Sequence, residues 1–319
     1  MKNKKIIAAI VFLLVLLSGY FMLDSFLFDG IRPQEIKENG FQGNFYTHKD
    51  TYKSAAVVLI GGGQWGDYWA QEFAKNGYSG LSLPYYGREG LPELMEEIPL
   101  EYFETAIGWL RQQPGVDADK IILMGASRNA ELALVTGATL PGLSGGVIAY
   151  APSALTWSNT VLAFNSDIVK PSWTYHGEAI PYVRMEKIAA PDSDTIHTET
   201  YWEKGLSKNP KGIIPVENIR GPVLLFSGKD DEVWPSAKMA DMIAQRLKEK
   251  NFGYTFQNIQ YDDAGHLISG NPDFLATKRT GTMLIEGKEY KFNYGGTAKG
   301  DQQAQIDARK KVFEFIASI

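Results

Sequence analysis

Short apolar runs alternate with amphipathic stretches along most of the chain. Residues 55–60, 121–124 and 222–226 are continuous apolar runs with the length of a buried strand. Between such runs, apolar residues recur at helical spacing, as in residues 100–110 and 238–248. Strands that alternate with helices predict an α/β fold, a mostly parallel, doubly wound sheet with helices on both faces.

The first 23 residues have a different pattern. An uncharged apolar run over residues 6–23 follows three lysines that lie among the first five residues. Eighteen helical residues span about 27 Å, which is close to the hydrocarbon thickness of a bilayer. Two interpretations are open, an uncleaved transmembrane anchor or a signal peptide cleaved near Ser18 and Gly19. The anchor is favoured, because large residues surround that small pair and the apolar run continues past it.

These patterns divide the chain into four parts. We expect residues 1–5 to form a cytoplasmic tail, 6–23 a transmembrane anchor, 24–53 a connector and 54–319 one large domain. The N-terminal lysines predict a single-pass protein of the cell membrane with this domain outside the cytoplasm, or a secreted protein if the segment is cleaved. Residues 152–220 break the alternation and predict a lid-like insertion over the carboxyl edge of the sheet. The alternative is an irregular loop region without substrate contact.

Composition excludes several kinds of chemistry. The 319 residues contain no cysteine, which excludes disulfides, a thiolate nucleophile and thiolate metal sites. The formal net charge of −5 gives nucleic-acid binding no electrostatic support. No residue pattern implies a metal or a cofactor, and none indicates an oligomeric state.

A candidate nucleophile lies in residues 120–134, which read K-I-I-L-M-G-A-S-R-N-A-E-L-A-L. An apolar strand, a tight turn and helix-forming residues in succession are the context of a nucleophile elbow, G-x-S-x-G. Gly125 supplies the first small residue of that motif, whereas Asn129 replaces its last glycine. Ser127 is therefore expected at the carboxyl end of a strand with its hydroxyl exposed.

An activated serine needs a base, and the base needs a carboxylate that orients it. In doubly wound hydrolases the chain order is Ser, then Asp or Glu, then His. His266 is the one histidine that leaves room for a strand-borne acid after Ser127. The other histidines either precede the serine or fall in the insertion: His48, His176 and His197. Asp231 is preferred over Asp230 as the acid, because it lies three residues after Gly228, although either aspartate would also serve a turn.

An oxyanion hole needs two backbone N–H groups that face the reacting carbonyl. One is expected from Arg128, the residue after the nucleophile. The other is expected from the glycine-rich loop after the first predicted strand, at Gly63 and Gln64. Glycine allows a backbone N–H to turn inward, although the same loop would also serve as a plain strand-to-helix turn.

Several strings resemble the C-terminal catalytic domain of acyl-CoA thioesterases and bile acid-CoA:amino acid N-acyltransferases, which is close to dienelactone hydrolases. They include Y-Y-G-R-E-G-L-P at 85–92, L-E-Y-F-E at 100–104, G-P-V-L-L-F-S-G-K-D-D-E-V-W-P-S at 221–236 and A-G-H at 264–266. The resemblance covers residues 54–319. It implies an α/β-hydrolase fold and a triad of Ser127, Asp231 and His266 that cleaves a small-molecule ester or thioester.

The chain departs from that family in three ways. Asn129 occupies the last position of the elbow motif. Ser127 stands where acyltransferase members carry cysteine, which favours hydrolysis over amide synthesis. A membrane segment takes the place of the amino-terminal β-sandwich of eukaryotic relatives, and a domain outside the cytoplasm would need a substrate other than intracellular acyl-CoA.

Two other functions are open. One is acyl transfer to an acceptor other than water, and the other is a catalytically inactive, membrane-tethered binding module. Under the hydrolase interpretation, tryptophan and tyrosine residues of the insertion are expected to line an apolar acyl pocket. Asp301 is expected to cap the final amphipathic helix.

Overall fold

The computed structural model describes residues 2–28, 31–37, 39–159, 168–185, 191–208, 210–285 and 287–319. Met1 of the predicted tail, and residues 160–167, 186–190 and 209 of the predicted insertion, lie outside the described residues. The strands are β1 Gln34–Ile36, β2 Gly43–Thr47, β3 Ser54–Ile60, β4 Ser79–Leu83, β5 Ile98–Pro99, β6 Val116–Ala126, β7 Gly146–Tyr150, β8 Trp173–Tyr175, β9 Glu178–Ala179, β10 Thr195–Ile196, β11 Val223–Gly228, β12 Phe256–Tyr261, β13 Thr280–Ile285 and β14 Lys288–Asn293. The α-helices are α1 Lys2–Phe28, α2 Gly63–Lys75, α3 Glu101–Leu110, α4 Arg128–Thr139, α5 Thr198–Lys208, α6 Ser236–Glu249 and α7 Ala298–Ala317.

One large sheet organises the domain. Its eight strands lie in the order β1-β2-β4-β3-β6-β7-β11-β12. The strands from β4 to β12 in this order are parallel to their neighbours, whereas β2 is antiparallel to β4 and β1 is antiparallel to β2. The predicted mostly parallel α/β sheet is confirmed. The segment 24–53 does more than connect, because β1 and β2 form one edge of this sheet.

Both faces of the sheet are covered by helices. Alternate residues of each central strand join opposite cores, as Val58 and Leu225 join one cluster and Val57 and Leu224 join the other. The first cluster includes residues of α3, α4 and α6, and the second includes residues of α2 and α7. Strands buried on both faces need apolar residues at every position, which is why they appear in the sequence as continuous apolar runs.

Helix α1 stands apart from these cores. Lys4–Phe26 is long and apolar enough to cross a bilayer, and none of it is buried in the domain. Phe12 and Leu23, for example, are more than half exposed. This segment is therefore not a core helix, and its length and composition fit either a membrane anchor or a signal sequence.

The predicted insertion packs against the domain through its tryptophans. Trp157 and Trp173 are fully buried, and Trp202 is 3% exposed. The expectation that tryptophans of the insertion line an open acyl pocket is wrong for these three, because their rings have almost no surface left to offer a ligand. They attach the insertion to the core instead.

Candidate active site

Three predicted site residues follow three strands of the main sheet at its carboxyl edge. Ser127 comes directly after β6, Asp231 lies three residues after β11, and His266 lies five residues after β12. Strands β6, β7, β11 and β12 are consecutive and parallel, so their carboxyl ends lie at the same edge. Residues more than a hundred positions apart in sequence therefore lie on one side of the sheet.

The elbow at Ser127 has a strained backbone. Ser127 has φ 58° and ψ −127°, a conformation that non-glycine residues seldom adopt. Its N–H donates to the carbonyl of Tyr150 at the end of β7, at 2.9 Å. A Cβ at Gly125 would lie 2.2 Å from the carbonyl oxygen of Asn129, so only glycine lets strand and helix approach this closely. These features are those of a nucleophile elbow.

Asn129 fits the elbow because its neighbours make room for it. The hydroxyl of Tyr85 donates to Asn129 Oδ1 at 2.7 Å. The other side of the amide lies against Gly61, where an added Cβ would be 2.2 Å from Asn129 Nδ2. Sequence reasoning missed the role of Tyr85, since nothing in the order of residues connects positions 85 and 129.

The structure brings Asp231 and His266 together. Asp231 Oδ2 lies 2.9 Å from His266 Nδ1, and the two side chains are 1% and 11% exposed. A carboxylate can only accept, so Nδ1 carries the proton in this contact and Nε2 of the neutral ring has a free lone pair. Asp230, the alternative acid, is exposed.

Asp231 is held by three further donors. Its Oδ1 accepts the N–H groups of Val233 and Trp234 at 2.9 and 3.2 Å, and its Oδ2 accepts the hydroxyl of Ser236 at 2.7 Å. With His266 these donors occupy about four acceptor positions, the full capacity of a carboxylate. The carboxylate is thereby fixed in position.

The loop that carries His266 is fastened to the last helix. The N–H of Gly265 donates to Asp301 Oδ1 at 2.7 Å, and Arg279 Nη1 donates to Asp301 Oδ2 at 2.6 Å. Asp301 is fully buried. The expectation that Asp301 caps α7 is wrong, because Thr297 is the N-cap and its side chain accepts the N–H of Gly300. Asp301 lies in the first turn and binds the histidine loop.

The predicted oxyanion donors lie at the starts of two helices. Gly63 and Gln64 begin α2, and Arg128 begins α4. The first N–H groups of a helix have no partner within that helix, and the backbone hydrogen bonds of the described residues include none from these three N–H groups. They are available for a negatively charged oxygen.

One predicted relationship of the triad is not formed as a direct contact. Across the described ranges, no hydrogen bond joins the Ser127 hydroxyl to the His266 ring. Each of the other three histidines lies 3.5 Å from an acidic side chain other than Asp231: His48 from Asp50, His176 from Glu101 and His197 from Glu199.

A buried ion pair connects the elbow helix to the insertion. The guanidinium of Arg128 bonds to the carboxylate of Glu131, which is fully buried, and to the hydroxyl of Ser172 at 2.5 Å. Glu131 Oε1 accepts the backbone N–H of Trp157 at 3.0 Å and the ring N–H of Trp173 at 2.8 Å. Burial raises the pKa of Glu131, and the Arg128 charge opposes that rise. Sequence reasoning assigned a role only to the backbone of Arg128, and this side-chain pair was missed.

Comparison with known proteins gives the site a context. The family model described as "BAAT / Acyl-CoA thioester hydrolase C terminal" matches residues 98–318. Acyl-coenzyme A thioesterase 6 of Homo sapiens is 26% identical over 91% of this chain and 66% of its own length. Acyl-coenzyme A thioesterase 1 of Mus musculus is 29% identical with the same coverage. Mitochondrial acyl-coenzyme A thioesterase 2 of Homo sapiens is 27% identical, again over 91% of this chain but 57% of its own length.

The chain thus spans less than two thirds of the length of these curated relatives. Among solved structures, one described as a dienelactone hydrolase from Klebsiella pneumoniae superposes with a TM-score of 0.52 at 14% identity. The match covers 91% of this chain and 98% of that one. The main domain therefore has the α/β-hydrolase fold.

Proposed function

Since the chain belongs to the BAAT / acyl-CoA thioester hydrolase C-terminal family, we propose that it is a serine hydrolase that cleaves an ester or a thioester. The observation that carries this proposal is the Asp231–His266 pair at the same sheet edge as the strained Ser127 elbow. The relatives are named acyl-coenzyme A thioesterases, which supports an ester or thioester as the bond that is cleaved.

In the proposed reaction Ser127 is the nucleophile and His266 is the base. The Ser127 oxygen attacks the acyl carbonyl while Nε2 of His266 takes the hydroxyl proton. That proton then passes to the departing alkoxide or thiolate, which leaves an acyl group on Ser127. Water deprotonated by His266 then attacks this acyl-enzyme, and His266 passes that proton to the Ser127 oxygen as the carboxylic acid leaves. Asp231 holds the ring in the required tautomer and stabilises the imidazolium that forms twice in each turnover.

The N–H groups of Arg128 and of Gly63 or Gln64 are proposed to hold the oxyanion. The starts of α4 and α2 add the positive ends of two helix dipoles to these donors. In other hydrolases one such donor contributes about 2.7–4 kcal/mol of transition-state stabilisation. No metal or cofactor is part of this proposal.

We further propose that α1 anchors the enzyme, with its lysine-rich end in the cytoplasm and the catalytic domain outside. The substrate would then be an ester or thioester other than intracellular acyl-CoA. Because the chain contains no cysteine, the substitution Glu89→Cys, at an exposed position, can report topology in cells. Labelling of the introduced thiol by a membrane-impermeant reagent is expected, and a thiol that stays unlabelled in intact cells would place the domain in the cytoplasm.

The activity is tested on the full chain in detergent micelles, with p-nitrophenyl esters and acyl-CoA thioesters of graded chain length. We expect product release that is abolished by Ser127→Ala and by His266→Ala, with Asp230→Asn as a matched control that retains activity. Turnover that survives Ser127→Ala would overturn the proposal. Addition of an amine acceptor separates hydrolysis from acyl transfer, since transfer would yield an amide in place of the free acid.

A further inference from the structure

Few residues separate α1 from the buried part of the domain. Ile31, three residues after the end of α1, is 2% exposed and belongs to the same buried cluster as Tyr46 and Ala55. Arg32 Nε donates to Asp24 Oδ1 at 2.7 Å, and Arg32 Nη2 donates to the Tyr20 hydroxyl at 2.9 Å. Arg32, at the start of the domain, is therefore hydrogen-bonded to residues in the last turns of α1.

With α1 as the proposed anchor, Asp24 lies near the membrane surface on this side. It is the first charged residue after the apolar run, and Tyr20 has the amphipathic ring that favours the interface. Arg32 bonds to both, which places the first residues of the domain beside the end of α1. This exposed pair contributes little by itself to holding them there.

The direction of β1 shows which edge of the sheet lies next to α1. Ile36, the last residue of β1, pairs with Gly43 at the start of β2. The next residue of β2, Asn44, pairs with Ser82 near the carboxyl end of β4. Strand β1 therefore runs towards the catalytic edge, and Ile31, which precedes β1, lies towards the opposite, amino edge. Ala55, its companion in the buried cluster, is the second residue of β3.

The two edges are separated by the length of the strands. Strand β3 has seven residues, and at about 3.3 Å per residue the catalytic edge is on the order of 20 Å from the attached edge. To face its own bilayer the domain would have to invert, which would lift Ile31 at least that far from the interface. Ile31 lies three residues after the end of α1, and three extended residues span only about 10 Å. The connection is therefore too short for this displacement as long as α1 keeps its last turn.

We propose that the anchor holds the domain with its catalytic edge away from the bilayer, so that the enzyme takes substrate from the aqueous phase and not from the lipids of its own membrane. The substrate part of this proposal rests on the proposed hydrolase function. The orientation part rests only on the proposed anchoring of the chain by α1, and it is tested separately.

Orientation is measured by energy transfer in the cysteine-free chain. Tyr52→Cys places a dye at the amino edge, on a residue that is 80% exposed and precedes β3, and Glu89→Cys places it on the exposed loop after β4 at the catalytic edge. The full-length variants are reconstituted in phosphatidylcholine nanodiscs that carry acceptor dyes on the lipid headgroups. We expect stronger transfer from position 52 than from position 89. Equal or reversed transfer, or a chain that has lost its N-terminal segment in membranes, would overturn the proposal.

Substrate access is tested with a longer tether. A flexible glycine-serine segment inserted after Gly30 separates Arg32 from Asp24 and frees the domain to tilt. Two p-nitrophenyl esters serve as substrates, and both are chosen because the full chain hydrolyses them in micelles. One is water-soluble. The other has a long acyl chain and is embedded in the nanodisc bilayer. We expect the insertion to increase hydrolysis of the embedded ester at least about tenfold and to leave the soluble ester unchanged.

Equal hydrolysis of the embedded ester by the natural and the lengthened chain would overturn the aqueous-phase assignment. Ser127→Ala in both chains shows that the release is enzymatic. If no ester is hydrolysed in any setting, the proposed hydrolase function fails, while the energy-transfer result still decides the orientation.

Discussion

The hydroxyl of Tyr85 donates a 2.7 Å hydrogen bond to the side-chain carbonyl of Asn129, two residues after the elbow serine. Tyr85 is fully buried, and burial raises its pKa well above the usual range, so the hydroxyl stays a donor. Gly61 supplies the space that the larger residue needs. The elbow therefore accepts asparagine at position 129, where its motif has glycine. The residue that must lack a Cβ is instead Gly61, which follows β3.

This relationship predicts the effect of restoring the motif. Asn129→Gly leaves the buried Tyr85 hydroxyl without a partner and adds a glycine to the first turn of α4. We expect the free energy of unfolding to fall by about 1–3 kcal/mol, with kcat changed little, because the Ser127 backbone is held by Gly125 and Tyr150. Urea unfolding and ester hydrolysis of the same sample measure the two quantities.

A double-mutant cycle provides the control. Tyr85→Phe alone removes the same bond, so the Tyr85→Phe/Asn129→Gly variant should be less destabilised than the sum of the single variants. Additive effects would show that the two side chains do not depend on one another.

Asp301 is predicted to act on catalysis through the loop that carries His266. Asp301→Asn weakens the bond to Gly265 N–H and leaves Arg279, which is a quarter exposed, without its counter-charge. We expect a loss of stability of about 1–3 kcal/mol, the exposure of Arg279 reducing the larger cost of a fully buried pair, and a lower kcat at nearly constant KM. Val312→Ala, which removes fully buried side-chain volume further along the same helix, is the matched control and should lower stability without lowering kcat. A kcat loss of equal size in both variants would contradict the assigned role.

The buried Arg128–Glu131 pair is predicted to matter far more than an exposed one. Glu131→Gln leaves the Arg128 charge uncompensated beneath the insertion, and removal of one partner of a buried pair typically costs about 3–5 kcal/mol. Glu314→Gln breaks the exposed pair of Glu314 with Lys310 on α7 and should leave stability unchanged. Urea midpoints at constant m-value compare the two, and similar midpoints would contradict the buried role.

Alkaline pH is predicted to unfold the domain through its tyrosines. Burial raises the pKa of Tyr46 to about 12 and places those of Tyr85 and Tyr150 well above the usual range. The folded state therefore keeps protons that the unfolded state loses near pH ~10, so stability falls as pH rises through this range. Tyrosinate absorbance should rise together with loss of the circular dichroism signal. Complete tyrosine ionisation in a chain that still has native circular dichroism would contradict this assignment.

The site residues at the strand ends could be predicted from the sequence, whereas the distant side chains that hold their loops in place could not. Ser127 and Asp231 each follow an apolar run, and His266 follows the alternating stretch Phe256–Tyr261. These patterns and the order Ser, Asp, His can be recognised from the sequence alone. The contact of Tyr85 with Asn129 joins positions 44 apart, and that of Asp301 with Gly265 joins positions 36 apart. The partner of a buried polar group depends on how distant elements pack, and hydrophobic periodicity does not report this.

The insertion shows the same limit. Its irregular pattern predicted a lid-like insertion over the carboxyl edge of the sheet, and its tryptophan and tyrosine residues were expected to line an apolar acyl pocket. Trp157 and Trp173 instead bond to Glu131 on the elbow helix. A buried carboxylate with two tryptophan partners is a tertiary feature that residue composition alone does not distinguish from a binding surface.

Covalent labelling of Ser127 by a fluorophosphonate tests the central claim most directly. The reagent reacts with a serine that a neighbouring base activates, so it requires both Ser127 and His266 without requiring knowledge of the substrate. We predict one adduct per folded chain, located on Ser127 by peptide mass spectrometry, absent in Ser127→Ala and formed at least about a thousandfold more slowly in His266→Ala. A folded chain that forms no adduct on Ser127, or one that reacts equally fast without His266, would contradict the account.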